Sequence, residues 1–460
     1  MKRFWLILLS LGLVTAFSAS AFAVDVQFSG SYYVAGMYLD QVSLIKGNTP
    51  ISKTVPNMDN ESTAFYYQTL RVRTDFIIDP GLKLVTRFDA LERIWGGERS
   101  NPGTGGFVNG FTSWPSAGTL AETENIAFDW AYIEYATPLG LFQVGYMQDG
   151  QTGTIFGDSY VPRGRIKYYY TTGPVTIIAD ITKVKDQSYS AVNSTATTTD
   201  ADDDKYGLEG VYQWKDGKAG MKVSYYRYAA DRPTDNYTKY YTLFTPYFIA
   251  QIGRVYLQAE VNYAWGEANS YDNSKAGQDV EMENLTAFID ATATFGSIYF
   301  GGTFAYVSGD NPGTTRQEGG TLNGGIEWNP CLIMFNYYDR TWWVGSIPGY
   351  GTTANEGPMS NAWFYQIRAG VRPTPDLDIT ASVAYAMADQ PLTTAPGWAS
   401  DKSYGWELDV TGTYKITNNL QYMLGVGYWW VGDFYRANLT QSSAPLRDDY
   451  MVINKLTLTF

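Results

Sequence analysis

Segments of alternating apolar and polar residues follow one another along almost the whole chain, and this period of two limits the fold more than any other feature. In one such segment Leu70, Val72 and Phe76 fall on one face of a strand, and Arg71 and Arg73 fall on the other. A period of two is that of a β-strand with one apolar and one polar face. After the N-terminal region no stretch reaches the roughly 18–20 consecutive apolar residues that a membrane-spanning helix needs. The pattern therefore predicts an all-β fold.

Short turns and long polar segments alternate between the predicted strands. The turns are Asp79-Pro80-Gly81, Pro138-Leu139-Gly140, Gly173-Pro174, Asp216-Gly217, Gly296-Ser297, Thr374-Pro375-Asp376 and Thr417-Asn418-Asn419. The long segments are 40–62, 96–123, 187–203, 266–281, 309–320, 345–360 and 432–449. Membrane barrels have short turns at one end, long loops at the other, and side chains that alternate between lipid and lumen. We therefore expect a transmembrane antiparallel β-barrel with short periplasmic turns and long extracellular loops.

The number of strands depends on residues 321–343. This region holds either two strands joined at Asn329-Pro330 or mostly loop. A barrel with both termini in the periplasm has an even number of strands. The sequence therefore predicts 18–20 strands, with about twenty as the first reading and eighteen as the alternative.

The N-terminal residues have the pattern of a secretory signal. Two basic residues precede an apolar run, residues 4–17, and the small-x-small pattern Ala21-Phe22-Ala23 follows it. We expect residues 1–23 to be a signal peptide cleaved after Ala23. The chain beyond it shows no composition break that would divide it, so residues 24–460 are predicted to form a single barrel.

The last strand ends on an aromatic residue of its apolar face. Leu456, Leu458 and Phe460 alternate with polar residues, an ending that resembles the insertion signal of Gram-negative outer-membrane proteins. We therefore expect the protein in the outer membrane of a Gram-negative bacterium. Its expected partners there are the barrel-assembly machinery, outer-membrane lipid and lipopolysaccharide.

The composition argues against several classes of function. The chain has no histidine and one cysteine, Cys331, so it can form neither a Ser-His-Asp triad, nor a His-ligated zinc or haem site, nor an internal disulfide. The formal net charge of −13, which becomes −15 when Lys2 and Arg3 leave with the signal peptide, argues against nucleic-acid binding. Residues 200–204 resemble a calcium loop, but Lys205 stands where such a loop needs glycine. We expect no enzyme activity, no catalytic residue, no cofactor and no metal.

Strand parity places many basic residues on the predicted lumen face. They include Arg71, Arg73, Arg87, Arg93, Arg163, Arg165, Lys167, Arg368 and Arg372. Acidic residues assigned to the same face are fewer and include Asp75, Asp89, Asp129 and Asp180. A basic lumen concentrates anions, and guanidinium groups suit carboxylate and phosphate. Two interpretations stay open: an arginine ladder that filters anions, or ion pairs that brace the wall.

The C-terminal region carries a second signal in its motifs. Gly405-Trp406-Glu407-Leu408-Asp409 is followed by a short turn, then by Gly425-Val426-Gly427-Tyr428 and Gly432-Asp433-Phe434. This closing hairpin resembles that of alginate-export-type outer-membrane porins, and Ala131-Tyr132-Ile133-Glu134 is a weaker match to another hairpin of that family. The resemblance implies an eighteen-stranded monomeric barrel whose basic lumen passes an anionic polysaccharide or a small anion. It also implies that Glu407 and Asp409 face the pore.

Three functions fit these patterns. The first is a porin through which small or polymeric anionic solutes diffuse along a basic, water-filled lumen. The alternative is a sleeve around a multihaem c-type cytochrome, whose haems would belong to that partner because this chain contains no Cys-x-x-Cys-His. The third is a surface adhesin or receptor that uses the segment 96–123, although this segment could equally fold into the pore.

Overall fold

Eighteen antiparallel strands close into one barrel in the computed structural model of the chain. The structure describes residues 24–42, 44, 62–95, 126–150, 152–159, 161–186, 201–274, 276–320, 325–345, 359–391, 401–436 and 446–460. The strands are β1 (Asp25–Leu39), β2 (Thr63–Asp79), β3 (Leu82–Ile94), β4 (Ile126–Thr137), β5 (Gly140–Asp149), β6 (Val161–Thr172), β7 (Val175–Lys185), β8 (Asp203–Trp214), β9 (Gly217–Tyr228), β10 (Tyr237–Ile252), β11 (Val255–Tyr271), β12 (Val280–Phe295), β13 (Ile298–Val307), β14 (Ala362–Thr374), β15 (Leu377–Met387), β16 (Ser403–Lys415), β17 (Leu420–Val431) and β18 (Asp449–Thr459). The helical turns are α1 (Arg232–Asp235), a π-helical turn (Tyr337–Thr341), α2 (Trp342–Val344) and a 3-10 turn (Asp433–Arg436).

The barrel closes through β1, which pairs with both β2 and β18. Ala35 lies opposite Tyr67 of β2 and opposite Lys455 of β18. Each strand from β2 to β17 pairs with its two neighbours along the chain. Because every strand has two partners, its backbone groups are satisfied between strands, as a bilayer requires. The predicted fold class is confirmed.

The number of strands is eighteen rather than twenty. The described part of the uncertain region, residues 325–343, contains no strand. The predicted loops 309–320 and 345–360 therefore belong to one long connection between β13 and β14. At the other end of the barrel, seven of the eight turns lie where proline, glycine and asparagine predict them. The eighth turn is Gly253-Arg254, in which Gly253 has a φ of +59°.

Side chains on the outer face of the barrel are apolar and exposed. Ile133, Leu208 and Val426 belong to this face, and Ile367 is 71% exposed. Exposing so much apolar surface to water would cost roughly 25 cal/mol per Å². The outer face is therefore suited to lipid. None of the described helical turns has the length or the hydropathy of a membrane-spanning helix.

The end of the chain lies beside the start of the barrel. The backbones of Gly30 and Phe460 exchange two hydrogen bonds, of 2.8 and 3.1 Å. Leu456, Leu458 and Phe460 are exposed. Their role as an insertion signal stays a prediction. The predicted signal peptide, with its cleavage site after Ala23, and the segment 96–123 lie outside the described residues.

Candidate functional site

The interior wall of β2 and β3 carries bidentate ion pairs. Arg71 lies opposite Asp89 in the strand register, and its Nε and Nη2 atoms each donate to an Asp89 carboxylate oxygen at 2.7 Å. Arg73 contacts Asp75, two positions along the same face, at 2.7 and 3.0 Å. Lys83 adds a contact to Asp75 at 3.4 Å. These carboxylates pair with cations that were predicted to line the pore. Most of the positive charge of these cations is therefore compensated by ion pairs within the wall.

Arg87 continues this charged wall toward β4. Its guanidinium lies 3.0 Å from the carboxylate of Asp129 and 3.7 Å from the centroid of the Trp130 ring. A register shift between β3 and β4 at Arg87 and Phe88 brings both neighbours to the interior face. Arg87 is therefore held by an ion pair and by stacking on an aromatic ring.

A second, buried charge cluster spans β5 to β9. The carboxylate of Asp180 lies 2.9 Å from both Arg165 and Lys222, and that of Asp149 lies 2.7 Å from Lys205. The side chains of Arg165 and Asp180 are 2% and 0% exposed. Charges this deeply buried persist in proteins only when they are paired, which is the case here.

The remaining predicted arginines with described partners lie on β14. Arg368 makes a bidentate contact with Asp290 of β12, at 2.7 and 2.8 Å. Arg372 pairs with Asp378 of β15 at 2.8 Å. The described contacts of Arg71, Arg73, Arg87, Arg165, Arg368 and Arg372 thus agree with the interpretation that ion pairs brace the wall.

Lys167 differs from these residues because it forms no ion pair with any described carboxylate. Its Nζ atom lies 4.8 Å from the centroid of the Tyr169 ring. It lines a polar cavity of about 120 Å³ together with Arg73, Trp130 and Tyr132. Within the described part of the chain, Arg93 and Arg163 likewise form no ion pair. Unpaired cations and aromatic rings can bind an anion that has an apolar part.

The connection between β13 and β14 turns back into the barrel. Its described middle part, residues 325–345, is termed the plug. Asp339 of the plug accepts hydrogen bonds from Tyr67 Oη of β2 at 2.7 Å and from Lys455 Nζ of β18 at 2.5 Å. Gln366 of β14 donates to a backbone carbonyl of the plug at 2.7 Å. Contacts with three separate strands show that the plug lies in the lumen.

Glu407 and Asp409 of β16 anchor the plug. The backbone N–H groups of Ile333 and Met334 donate to the two oxygens of Glu407 at 2.6 and 2.7 Å, and that of Leu332 donates to Asp409 at 3.3 Å. Glu407 is 0% exposed. Both residues therefore point inward, but they bind protein rather than line open water.

Apolar side chains of the plug form a core with the inner faces of the strands. The plug contributes Trp328, Cys331, Ile333, Met334, Phe335, Trp343 and Val344, and the strands contribute residues that include Met37, Phe288, Phe364, Tyr404, Trp429 and Ile453. The rings of Phe335 and Phe364, for example, are 5.6 Å apart and nearly perpendicular. This side of the lumen is thus filled by a packed core.

A second segment enters the lumen between β5 and β6. Its described residues 152–159 are termed the inner segment. Thr154 donates from its backbone N–H and its hydroxyl to Glu260 of β11, at 2.6 and 2.9 Å. The ring of Phe156 stacks on Phe288 at 4.8 Å and meets the plug residue Trp328 edge-on at 5.1 Å. The inner segment and the plug therefore pack against each other inside the barrel.

The described residues bring one trio of metal-ligating side chains together. The ligand atoms of Cys331, Glu407 and Asp409 lie within 4.8 Å of one another. Burial and the two carboxylates raise the pKa of the Cys331 thiol well above its usual range. Three of the four carboxylate oxygens already accept plug amides. A thiol that stays protonated at neutral pH is a poor metal ligand, so these residues are best explained as the plug anchor.

The anchoring role of Glu407 and Asp409 was not predicted from the sequence. One signal was available, because Gly425 and Gly427 carry no side chain on the adjoining strand and so leave space on its inner face. A second was the run of mostly apolar residues 331–335, which lacks the alternation of the strands. Neither the two glycines nor the apolar run indicates where the plug lies relative to β16.

Comparison with known proteins supports the fold. No family model and no curated protein matches the chain. The crystal structure of Pseudomonas aeruginosa OccK2 (OpdF) in complex with glucuronate is similar, with a TM-score of 0.50 and 11% identity over 95% of this chain and 97% of that chain. Pseudomonas aeruginosa OccK8 (OprE) has a TM-score of 0.50 and 15% identity over 94% of this chain and 98% of that chain. The barrel has the fold of outer-membrane porins.

Proposed function

We propose that the protein is an outer-membrane channel through which small anionic solutes diffuse. The single observation that carries this proposal is the unpaired Lys167 beside a polar cavity in the wall of a lipid-facing barrel. Arg73, which is paired with Asp75 and whose side chain is 38% exposed, lines the same cavity. Cations along a narrow aqueous path replace part of an anion's hydration, which lowers the barrier to its passage.

The plug favours small solutes over polymeric ones. Its apolar core packs against β1 and against β12 to β18, which leaves the passage beside β2 to β6, where Arg71, Arg73 and Lys167 are partly exposed. The same packing argues against a sleeve, because a threaded cytochrome would have to displace the whole core. Residence in the outer membrane, insertion by the barrel-assembly machinery and contact with lipopolysaccharide are parts of this proposal. A specific relation to alginate-export-type porins stays a prediction from the C-terminal hairpin.

Reversal potentials of the purified barrel in planar bilayers test the proposal. Under a potassium chloride gradient we expect the wild-type channel to prefer anions. Lys167→Gln should reduce this preference, and Lys167→Glu should reduce it further. Lys239→Gln is the matched control, because Lys239 lies near the outer end of β10 and already pairs with Asp231 at 3.4 Å. Acetate and glucuronate can then serve as small anionic probes, the latter because the OccK2 structure contains it.

Two results would reject parts of this proposal. A barrel that inserts but passes no current would reject the channel. A current whose reversal potential is the same in wild type and Lys167→Glu would reject the anion preference and leave an unselective channel.

A further inference from the structure

The inner segment and the plug meet at a pair of carboxyl groups. The backbone N–H groups of Gly325 and Glu327 donate to the carbonyl oxygen of Asp158, at 2.9 and 3.3 Å. The side-chain carboxyls of Asp158 and Glu327 are close enough to interact electrostatically. The Phe156–Trp328 edge contact lies next to them along both segments. Asp158 is therefore at the junction of the two segments that narrow the lumen.

The groups that face this pair are acidic. Glu260 of β11 is the other carboxylate near Asp158, and it is bound to the inner segment through Thr154. Lys222 contacts the inner segment at Thr152 but pairs with Asp180. One Asp158 oxygen is buried without a hydrogen-bond partner among the described residues. Two neighbouring carboxyls without a cation cannot both ionise at low cost, so a proton on Asp158 removes the repulsion between them.

We propose that the Asp158–Glu327 pair is a proton-dependent latch, in which a proton on Asp158 holds the plug against the inner segment and its loss loosens the plug and widens the passage. The effect on conductance rests on the proposed channel function, whereas the effect on the plug does not.

The direction of the pH dependence follows from proton binding. Burial and the Glu327 carboxylate raise the pKa of Asp158 to about 7. The latched form therefore binds a proton that the released form loses near pH 4. The latch is strongest in acid, weakens as the pH rises toward 7, and changes little above that. The equilibrium constant between the latched and the released form should change by about tenfold between acid and neutral pH. This is less than the whole pKa shift of Asp158 would give, because Asp158 is partly exposed to solvent.

Hydrogen exchange of the full barrel in detergent tests the latch without any need for conduction. After correction for intrinsic exchange rates, the amides of residues 325–334 should exchange about tenfold faster at pH 8 than at pH 5. Asp158→Asn should remove this dependence and keep exchange slow, because an amide donates to Glu327 without losing a proton. Glu327→Gln is a second variant with the same expectation. Glu281→Gln, which changes an exposed carboxylate paired with Arg316, should behave as wild type.

Single-channel conductance at the same two pH values separates the two proposals. If exchange depends on pH and no current flows, the latch stands and the channel function fails. If current flows while plug exchange is identical at pH 5 and 8, or while Asp158→Asn and Glu327→Gln both keep the wild-type dependence, the latch is overturned.

Discussion

Gly427 of β17 lies directly against Leu332 of the plug. A Cβ atom at Gly427 would stand 3.1 Å from Leu332 Cβ and 2.6 Å from Asp409 Oδ1. A Cβ atom at Gly425 would likewise stand 3.1 Å from Leu332 Cδ1. The two glycines leave a gap on the inner face of β17, and the plug uses this gap to reach the carboxylates of β16. The Gly-x-Gly motif of the closing hairpin therefore has a packing role in this barrel.

Filling this gap is expected to displace the plug. Gly427→Val places two methyl groups where Leu332 and Asp409 now lie, so we expect higher single-channel conductance and faster protease cleavage within residues 325–345. Gly412→Val is the matched control, because a Cβ at Gly412 meets no atom within 4 Å. Equal conductance of the two variants would mean that the plug does not limit the passage.

Removing the anchor is expected to release the plug by a different route. Glu407→Ala leaves the amides of Ile333 and Met334 without acceptors, at a cost of about 1–3 kcal/mol for each group. Hydrogen exchange at these two amides should accelerate by at least about tenfold, while amides of the β2–β3 hairpin keep their wild-type rates. Acceleration throughout the barrel would instead indicate a global loss of stability.

The pair of Arg73 and Asp75 should control ion selectivity through its charge balance. Arg73→Gln removes the positive charge that pairs with the Asp75 carboxylate, so the reversal potential should shift toward cation selectivity. Asp75→Asn should shift it toward anions, and the double variant should return close to wild type. Each change should alter stability by no more than about 1 kcal/mol, because the Arg73 side chain is partly exposed. A double variant that keeps the shift of either single variant would contradict the pairing.

The buried pair of Arg165 and Asp180 should matter mainly for stability. Arg165→Met leaves Asp180 with Lys222 as its one ion-pair partner among the described residues, and losing one member of a buried pair costs about 3–5 kcal/mol. We expect the heat-modifiable band on gels to unfold at a clearly lower temperature. Arg372→Met is the control: its side chain is 47% exposed, and such pairs contribute about 0–1 kcal/mol. If the unfolding temperature fell equally in Arg165→Met and Arg372→Met, the buried pair would not contribute more stability than the exposed one.

Much of the barrel could be predicted because its signals are local. The alternation in residues 70–78 and the turn at Asp79-Pro80-Gly81 depend on neighbours a few positions away, and both appear as predicted in β2 and β3. The turn at Gly253-Arg254 was missed because one glycine between two long strands is a weak signal.

What the sequence by itself determined is the class of the fold, the hairpin order and the identity of the charged residues, because strand period and turn chemistry act within a few residues. Only the tertiary structure decided which carboxylate pairs with which cation. Arg71 and Asp89 meet through strand register, and the plug reaches Glu407 only because the closed barrel leaves an interior to fill. Such contacts join residues as far apart as Tyr67 and Asp339, and no local pattern encodes them.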